Sequence, residues 1–315
     1  MKNKIIALIL IGFLGLYLAP TLLANSQGDA HRVYPEFRPT PATDIEIVKK
    51  ISLPGKGKPT DKPGKPPKPS QPAAATGILG DPVAGHRYAI IIGISDYPGT
   101  ANDLQYADDD ALAMKNVLMA KYGFAEGNIA LFLDMNATAS NIAGAINALK
   151  GIATADDEVI FFYSGHGGKG IADDGDNEKI DESIISHDGI NLVHIWDGDL
   201  KNLFKDFLTN RIVFIFDSCV SGGMTDLSVD GRVINMATEE KRFDTAVERY
   251  YEGYGGAGEL TYYFVIKGMD EGLADVFGTE GEGVVTVEEA FDYAKASVNY
   301  DHPTLSDKFE NDLLL

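Results

Sequence analysis

Cysteine is almost missing from this chain: Cys219 is the single one in 315 residues. One thiol excludes an intrachain disulfide framework and any multi-cysteine zinc site. Basic residues are scarce as well, with 27 Lys and Arg against 47 Asp and Glu and a net charge of -20. The imbalance is uneven. Residues 1–72 hold 11 basic and 5 acidic residues, whereas the rest holds 16 and 42, a net of -26. So acidic a body argues against nucleic acid as a partner and suits cations, whether metal ions or basic peptides. No internal repeat is visible.

What is present first divides the chain. Lys2 and Lys4 precede a nearly unbroken apolar stretch over residues 5–24. This pattern marks residues 1–24 as a secretory signal or membrane anchor, so the N-terminal segment is expected to meet a membrane and the protein to be secreted or membrane-anchored, outside the cytoplasm. Residues 25–76 read as a tether rich in proline and lysine, densest over 53–72, where Lys62-Pro63-Gly64-Lys65-Pro66-Pro67-Lys68-Pro69 cannot bury a core. Residues 77–315 are then one domain of ordinary size.

Within that domain, fully apolar runs alternate with helical spacing. Strands are expected over 88–94, 128–133, 159–163, 212–216 and 232–236. Helices are expected over 104–122, 139–149 and 200–208, with two more over 261–269 and 287–298. Strands too apolar for one-sided exposure imply an α/β fold, a mainly parallel sheet flanked by helices on both faces.

Two of these runs end in chemistry. Val159-Ile160-Phe161-Phe162-Tyr163 leads into Ser164-Gly165-His166-Gly167-Gly168, and Ile212-Val213-Phe214-Ile215-Phe216 into Asp217-Ser218-Cys219-Val220-Ser221-Gly222-Gly223. Ligands and chemistry gather at the carboxyl ends of parallel strands. A cysteine needs a base or an imidazolium partner to act as a nucleophile near neutral pH. Cys219 would attack a scissile carbonyl, and His166 would protonate the leaving amine and then activate water. The backbone N–H groups of Cys219 and Gly167 are the natural oxyanion donors. Asp217 and Ser164 each lie two residues before the reacting side chain, on the same face of their strand, where they can line a pocket.

The paired motifs resemble the caspase-like cysteine peptidases, and among them the metacaspase branch, over roughly residues 88–315. The resemblance implies the caspase/hemoglobinase-like fold and a thiol protease acting on polypeptides. It also implies that Asp110, within Asp108-Asp109-Asp110, supplies a second pocket acid. Two carboxylates repel an aspartate side chain but match a guanidinium or ammonium. Cleavage after Arg or Lys is therefore expected, rather than after Asp as in caspases proper. By the same resemblance, calcium would be held by Asp181, Asp197 and Asp226, with Asp199 standing in where Gly198 replaces an acid. No organic cofactor is implied. Lys241-Arg242 is a conceivable self-cleavage site. The rival expectation is a catalytically silent, surface-attached module that binds basic peptides on the same fold.

Overall fold

The computed structural model describes residues 35–57, 73–173, 178–240, 244–275 and 283–315. The expected signal or anchor, residues 58–72 of the tether and Lys241-Arg242 lie outside the described residues. No helix among the described residues is long and apolar enough to cross a membrane.

In chain order the elements are β1 (Ala42–Val48), β2 (Ile51–Gly57), β3 (Arg87–Gly93), α1 (Ala107–Lys121), β4 (Ile129–Leu133), α2 (Ala139–Lys150) and β5 (Glu158–Ser164). Next come β6 (Gly167–Ala172), β7 (Asp181–His187), β8 (Leu192–Trp196), α3 (Asp197–Phe204), β9 (Ile212–Asp217) and β10 (Arg232–Met236). The chain closes with β11 (Val247–Tyr251), β12 (Gly255–Gly258), α4 (Glu259–Thr261, continued with π-helical spacing over Tyr262–Asp270), α5 (Val287–Ser297) and β13 (Thr304–Asp307).

The five expected apolar strands, joined by β13, make a six-stranded sheet of order β13-β10-β9-β5-β3-β4, parallel except where β13 pairs antiparallel with β10. Alternation along the strands sorts their side chains onto two faces. Ile91, Phe162 and Ile215 share a core with Met114 and Leu118 of α1, Phe264 after α4, and Ala290 of α5. Ile90, Phe161 and Phe214 share the opposite core with Ile142 and Ile146 of α2 and Leu200 and Phe204 of α3. The α/β class and helices on both faces are therefore as the sequence implies.

Some boundaries move for local reasons. The helix expected from residue 104 begins at Ala107, because Glu248 accepts the N–H groups of Gln105 and Tyr106 and Ser95 Oγ accepts that of Asp108. The helix expected over 200–208 starts earlier, at Asp197.

The larger difference lies in the stretch assigned to a tether. Residues 42–48 form β1, antiparallel to β6 at the edge of a second sheet, β1-β6-β7-β8. Residues 51–57 form β2, parallel to β11 at the edge of a third, β12-β11-β2. Asp292 and Asp312 accept backbone N–H groups of residues 74–77, so the folded body also begins before residue 77. The physical reason was present in the β-branched residues Thr43, Ile45, Ile47, Val48 and Ile51, which favour extended backbone. Pro54, which lacks an N–H, falls where the β2–β11 register shifts.

Candidate active site

The register of the central sheet builds the site. Ser164 ends β5 directly opposite Asp217, which ends the neighbouring strand β9. Two residues further along each chain are His166 and Cys219, so the two loops emerge side by side. A Cβ on Gly167 would collide with the Cys219 carbonyl and press on Val220, so only glycine allows these loops to meet. Immediately after the thiol, Val220 adopts the left-handed conformation (φ 49°). For a β-branched residue that backbone is strained, and such strain recurs at sharp functional turns.

His166 is fixed on every side. Its ring stacks on Tyr97 with centroids 5.0 Å apart, and its backbone N–H donates to the Tyr97 hydroxyl at 3.0 Å. Nε2 lies 2.8 Å from the Asn102 carbonyl, which can only accept, so Nε2 carries the proton. Nδ1 is then the bare nitrogen, and it accepts the backbone N–H of Lys50 at 2.9 Å. Burial pushes the imidazole pKa down to about 4; the Asn102 carbonyl opposes this and the charges of Lys49 and Lys50 add to it.

Cys219 is fully buried, its Sγ accepting the Ala246 N–H at 3.2 Å. Burial raises its pKa to about 12, with the Ala246 contact and the Lys50 charge pulling the other way. In this state neither imidazole nitrogen bonds the thiol among the described residues, since Lys50 holds one and Asn102 the other. Thiol and imidazole are both neutral at pH 7.

Beside Cys219 and His166 lies a pocket walled by Asp110, Ser164 and Asp217, all buried. The three expected pocket residues thus come together, and their occupant is the Lys50 side chain. Its Nζ lies 2.6 Å from Asp217 Oδ1, 3.1 Å from Ser164 Oγ, 3.1 Å from the Asp217 carbonyl and 3.6 Å from Asp110 Oδ2. Ser164 donates its hydroxyl proton to Asp110 at 2.7 Å, Gly258 N–H donates to Asp110 at 2.9 Å, and Thr261 donates to Asp217 through N–H and hydroxyl. Burial works against the ammonium, yet Asp217, Asp110 and Glu248 hold Lys50 above its ordinary pKa. Asp110 is itself raised, by burial first and by Asp217 as well, with the Lys50 charge opposing. As the first turn of α1, Asp110 also sits at the positive end of a helix.

The residues singled out for calcium separate. Asp197 joins Glu182 and Glu178, with ligand atoms all within 4.8 Å of one another. A Cβ on Gly223 would strike the Glu182 carboxylate, so glycine there makes room for this cluster. Three hard oxygen donors fit a calcium-like ion. Asp181 is buried and accepts the Ala172 N–H. Asp199 caps α3 through the Trp196 N–H and takes both the N–H and hydroxyl of Thr40, while Asp226 pairs with Lys201 at 2.7 Å. Sequence reasoning missed Glu178 and Glu182, and also Tyr97, the Asn102 carbonyl, Ala246 and Lys50. None of these carries a motif; each reaches the site through tertiary pairing.

Comparison with known proteins agrees with the geometry. Residues 87–228 match the family described as Metacaspase, peptidase C14 domain. The chain is 33% identical over 152 residues to Metacaspase-1 of Schizosaccharomyces pombe, covering 45% of this chain and 36% of that one. It is 36% identical over 146 residues to Metacaspase-4 of Arabidopsis thaliana, covering 44% and 34%. The chain thus spans about a third of the length of these curated relatives. In fold it is similar to the solved protein GSU0716 of Geobacter sulfurreducens, with a TM-score of 0.54 at 17% identity over 72% of this chain and 95% of that one.

Proposed function

We propose that this chain, whose residues 87–228 match the family described as Metacaspase, peptidase C14 domain, is a cysteine endopeptidase that cuts polypeptides after Lys or Arg. The observation that carries the specificity is the Lys50 ammonium seated between Asp217 and Asp110. A pocket that holds a buried lysine with two carboxylates and a hydroxyl offers the same partners to a substrate lysine, and a bidentate face to arginine. An aspartate there would bring a third carboxylate into a buried acidic site, which costs several kcal/mol.

In the reaction, Cys219 Sγ adds to the scissile carbonyl carbon while the bare Nδ1 of His166 takes the thiol proton. The imidazolium passes that proton to the departing amine as the C–N bond breaks, leaving a thioester that water then hydrolyses. The Asn102 carbonyl keeps the second imidazole proton on Nε2, so Nδ1 stays aimed at the chemistry. In this reading the backbone N–H groups of Cys219 and Gly167 would receive the oxyanion.

Calcium belongs to the same proposal, held by Glu178, Glu182 and Asp197. It would supply structural charge that orders the loop ahead of β7 against α3. The apolar stretch 5–24 supports an extracytoplasmic address, either secreted or anchored.

The test is hydrolysis of Arg and Lys peptide reporters by the full chain with an open cleft (Lys50→Ala), with and without Cys219→Ala, in calcium or chelator. Turnover that disappears with the thiol establishes the peptidase. A chelator lane equal to the calcium lane removes the metal from the proposal. A folded Lys50→Ala protein whose turnover is indifferent to Cys219→Ala would contradict the assignment and return the site to a basic-peptide binding module.

A further inference from the structure

Lys50 sits in the pocket as a substrate lysine would, yet its backbone runs the wrong way for cleavage. If Lys50 were a productive substrate residue, the bond to break would be Lys50–Ile51 and the departing nitrogen would be that of Ile51. His166, which must protonate that nitrogen, instead accepts the N–H of Lys50 itself at 2.9 Å. The Ile51 N–H points elsewhere, to the Ala246 carbonyl at 3.0 Å. The amide beside the imidazole is thus the one before Lys50, whose acyl side belongs to Lys49. Lys49 is exposed, and its ammonium bonds the Ala101 carbonyl rather than entering the pocket. Side chain and scissile bond are therefore mismatched in either frame.

Strand direction tells the same story. The residues after Lys50 form β2, which runs parallel to β11 beside the thiol. A productive chain with its lysine in this pocket would be turned end for end, laying its preceding residues along β11 antiparallel.

The sequence between β2 and the rest of the domain is protected in a second, independent way. Residues 58–72 contain four lysines, and proline follows every one: Lys58-Pro59, Lys62-Pro63, Lys65-Pro66 and Lys68-Pro69. A proline nitrogen has no N–H, and its ring crowds the preceding residue. A lysine followed by proline is accordingly a poor substrate for an enzyme that must approach and protonate that nitrogen.

Resting on the peptidase reading above, we infer that residues 42–57 are a built-in inhibitor threaded backwards through the cleft. Lys50 is its plug, and the Lys-Pro linker resists the enzyme's own specificity. The strap is anchored at both ends: Thr40 binds Asp199, β1 pairs with β6, and β2 with β11. Because it is tethered, it competes at an effective concentration on the order of millimolar. Even a micromolar intrinsic affinity would then close nearly every molecule. Release requires a cut in the linker by a protease of different specificity, or a competing strand that displaces β2.

The test uses three full-length proteins: wild type, Lys50→Ala, and a linker variant with Pro59, Pro63, Pro66 and Pro69 all changed to alanine. The linker variant leaves strap and pocket untouched, so it remains informative if Lys50→Ala does not fold. Each is assayed with an Arg reporter and followed by intact mass. The expected results are a rate at least tenfold above wild type for Lys50→Ala, and no cut at Lys50–Ile51 in wild type. The linker variant is expected to cut itself after linker lysines, with activity rising as it does. Cleavage of wild type after Lys50 would overturn the reversed threading. Equal rates for wild type and a folded, active Lys50→Ala would overturn inhibition, and a linker variant that stays whole would overturn the role of the prolines. A Lys50→Ala protein with native circular dichroism but no turnover of any Arg or Lys reporter would instead sink the peptidase reading, and this inference with it.

Discussion

At the scale of single residues, neither the thiol nor the imidazole is set up to carry charge near neutral pH. The imidazole is neutral because burial pushes its pKa down to about 4, and the thiol is neutral because burial pushes its own up to about 12. A group with a depressed folded pKa contributes stability that is present above its unfolded value and lost as pH falls through the folded one. For His166 the window runs from about pH 6.5 down to about 4. Protonation there also removes the lone pair that holds the Lys50 N–H. Melting temperature measured across that window should fall more steeply in wild type than in His166→Gln, and parallel curves would contradict this account. Buried Asp110 and Asp301, both raised by burial first, act with the opposite sign, which is why the comparison must be between the two proteins. His166, Cys219, Ser164 and Asp217 could be singled out in the sequence because each stands at or just past the end of an apolar strand, whereas Asp110, inside α1, was expected only from the family resemblance. Lys50 was not, since nothing local distinguishes it from Lys49 next door; only the pairing of β1 and β2 shows which of the two turns inward.

At the scale of elements, the site depends on two parallel strands ending in register and on one glycine where their loops touch. Adding a Cβ at Gly167 forces the Cys219 carbonyl aside. Gly167→Ala should lower turnover by at least a hundredfold, because an error of about 1 Å at reacting groups costs on that order. The folded secondary structure should persist, since the central sheet is untouched. Near-normal turnover in that variant would show that the loops need not meet so closely. The five parallel strands were legible because both of their faces are buried, which leaves apolar runs with no polar alternation. The strands of the two smaller sheets were not. β6 is rich in glycine, β11 and β12 carry tyrosines and glycines, and most of β1 is exposed, so periodicity is weak in all of them. Proline and lysine downstream of residue 53 are the composition of a tether, and they outweigh the β-branched residues of β1 and β2 that favour strand.

At the scale of the whole molecule, charge ties these pieces together. A body carrying a net of -26 disfavours thiolate formation and attracts basic chains, its own N-terminal segment included. That segment, with 11 basic residues against 5 acidic, is opposite in charge to the rest of the chain, and its described part, residues 35–57, packs against the domain. On the proposed reading, the field that would recruit a basic substrate also seats the strap, and specificity and restraint would arise from one pocket. The measurement that tests this centrally is the cleavage preference of the open-cleft Lys50→Ala protein towards peptides differing only in Arg, Lys, Asp or Leu at the cleaved position, repeated with Asp217→Asn. Removing one partner of a buried ion pair costs about 3–5 kcal/mol, and 1.4 kcal/mol is tenfold. Arg and Lys should lead Leu and Asp by about a hundredfold or more, and that lead should collapse in Asp217→Asn while Leu turnover changes little. A preference for Asp, or an Arg-to-Leu ratio indifferent to Asp217, would contradict the account.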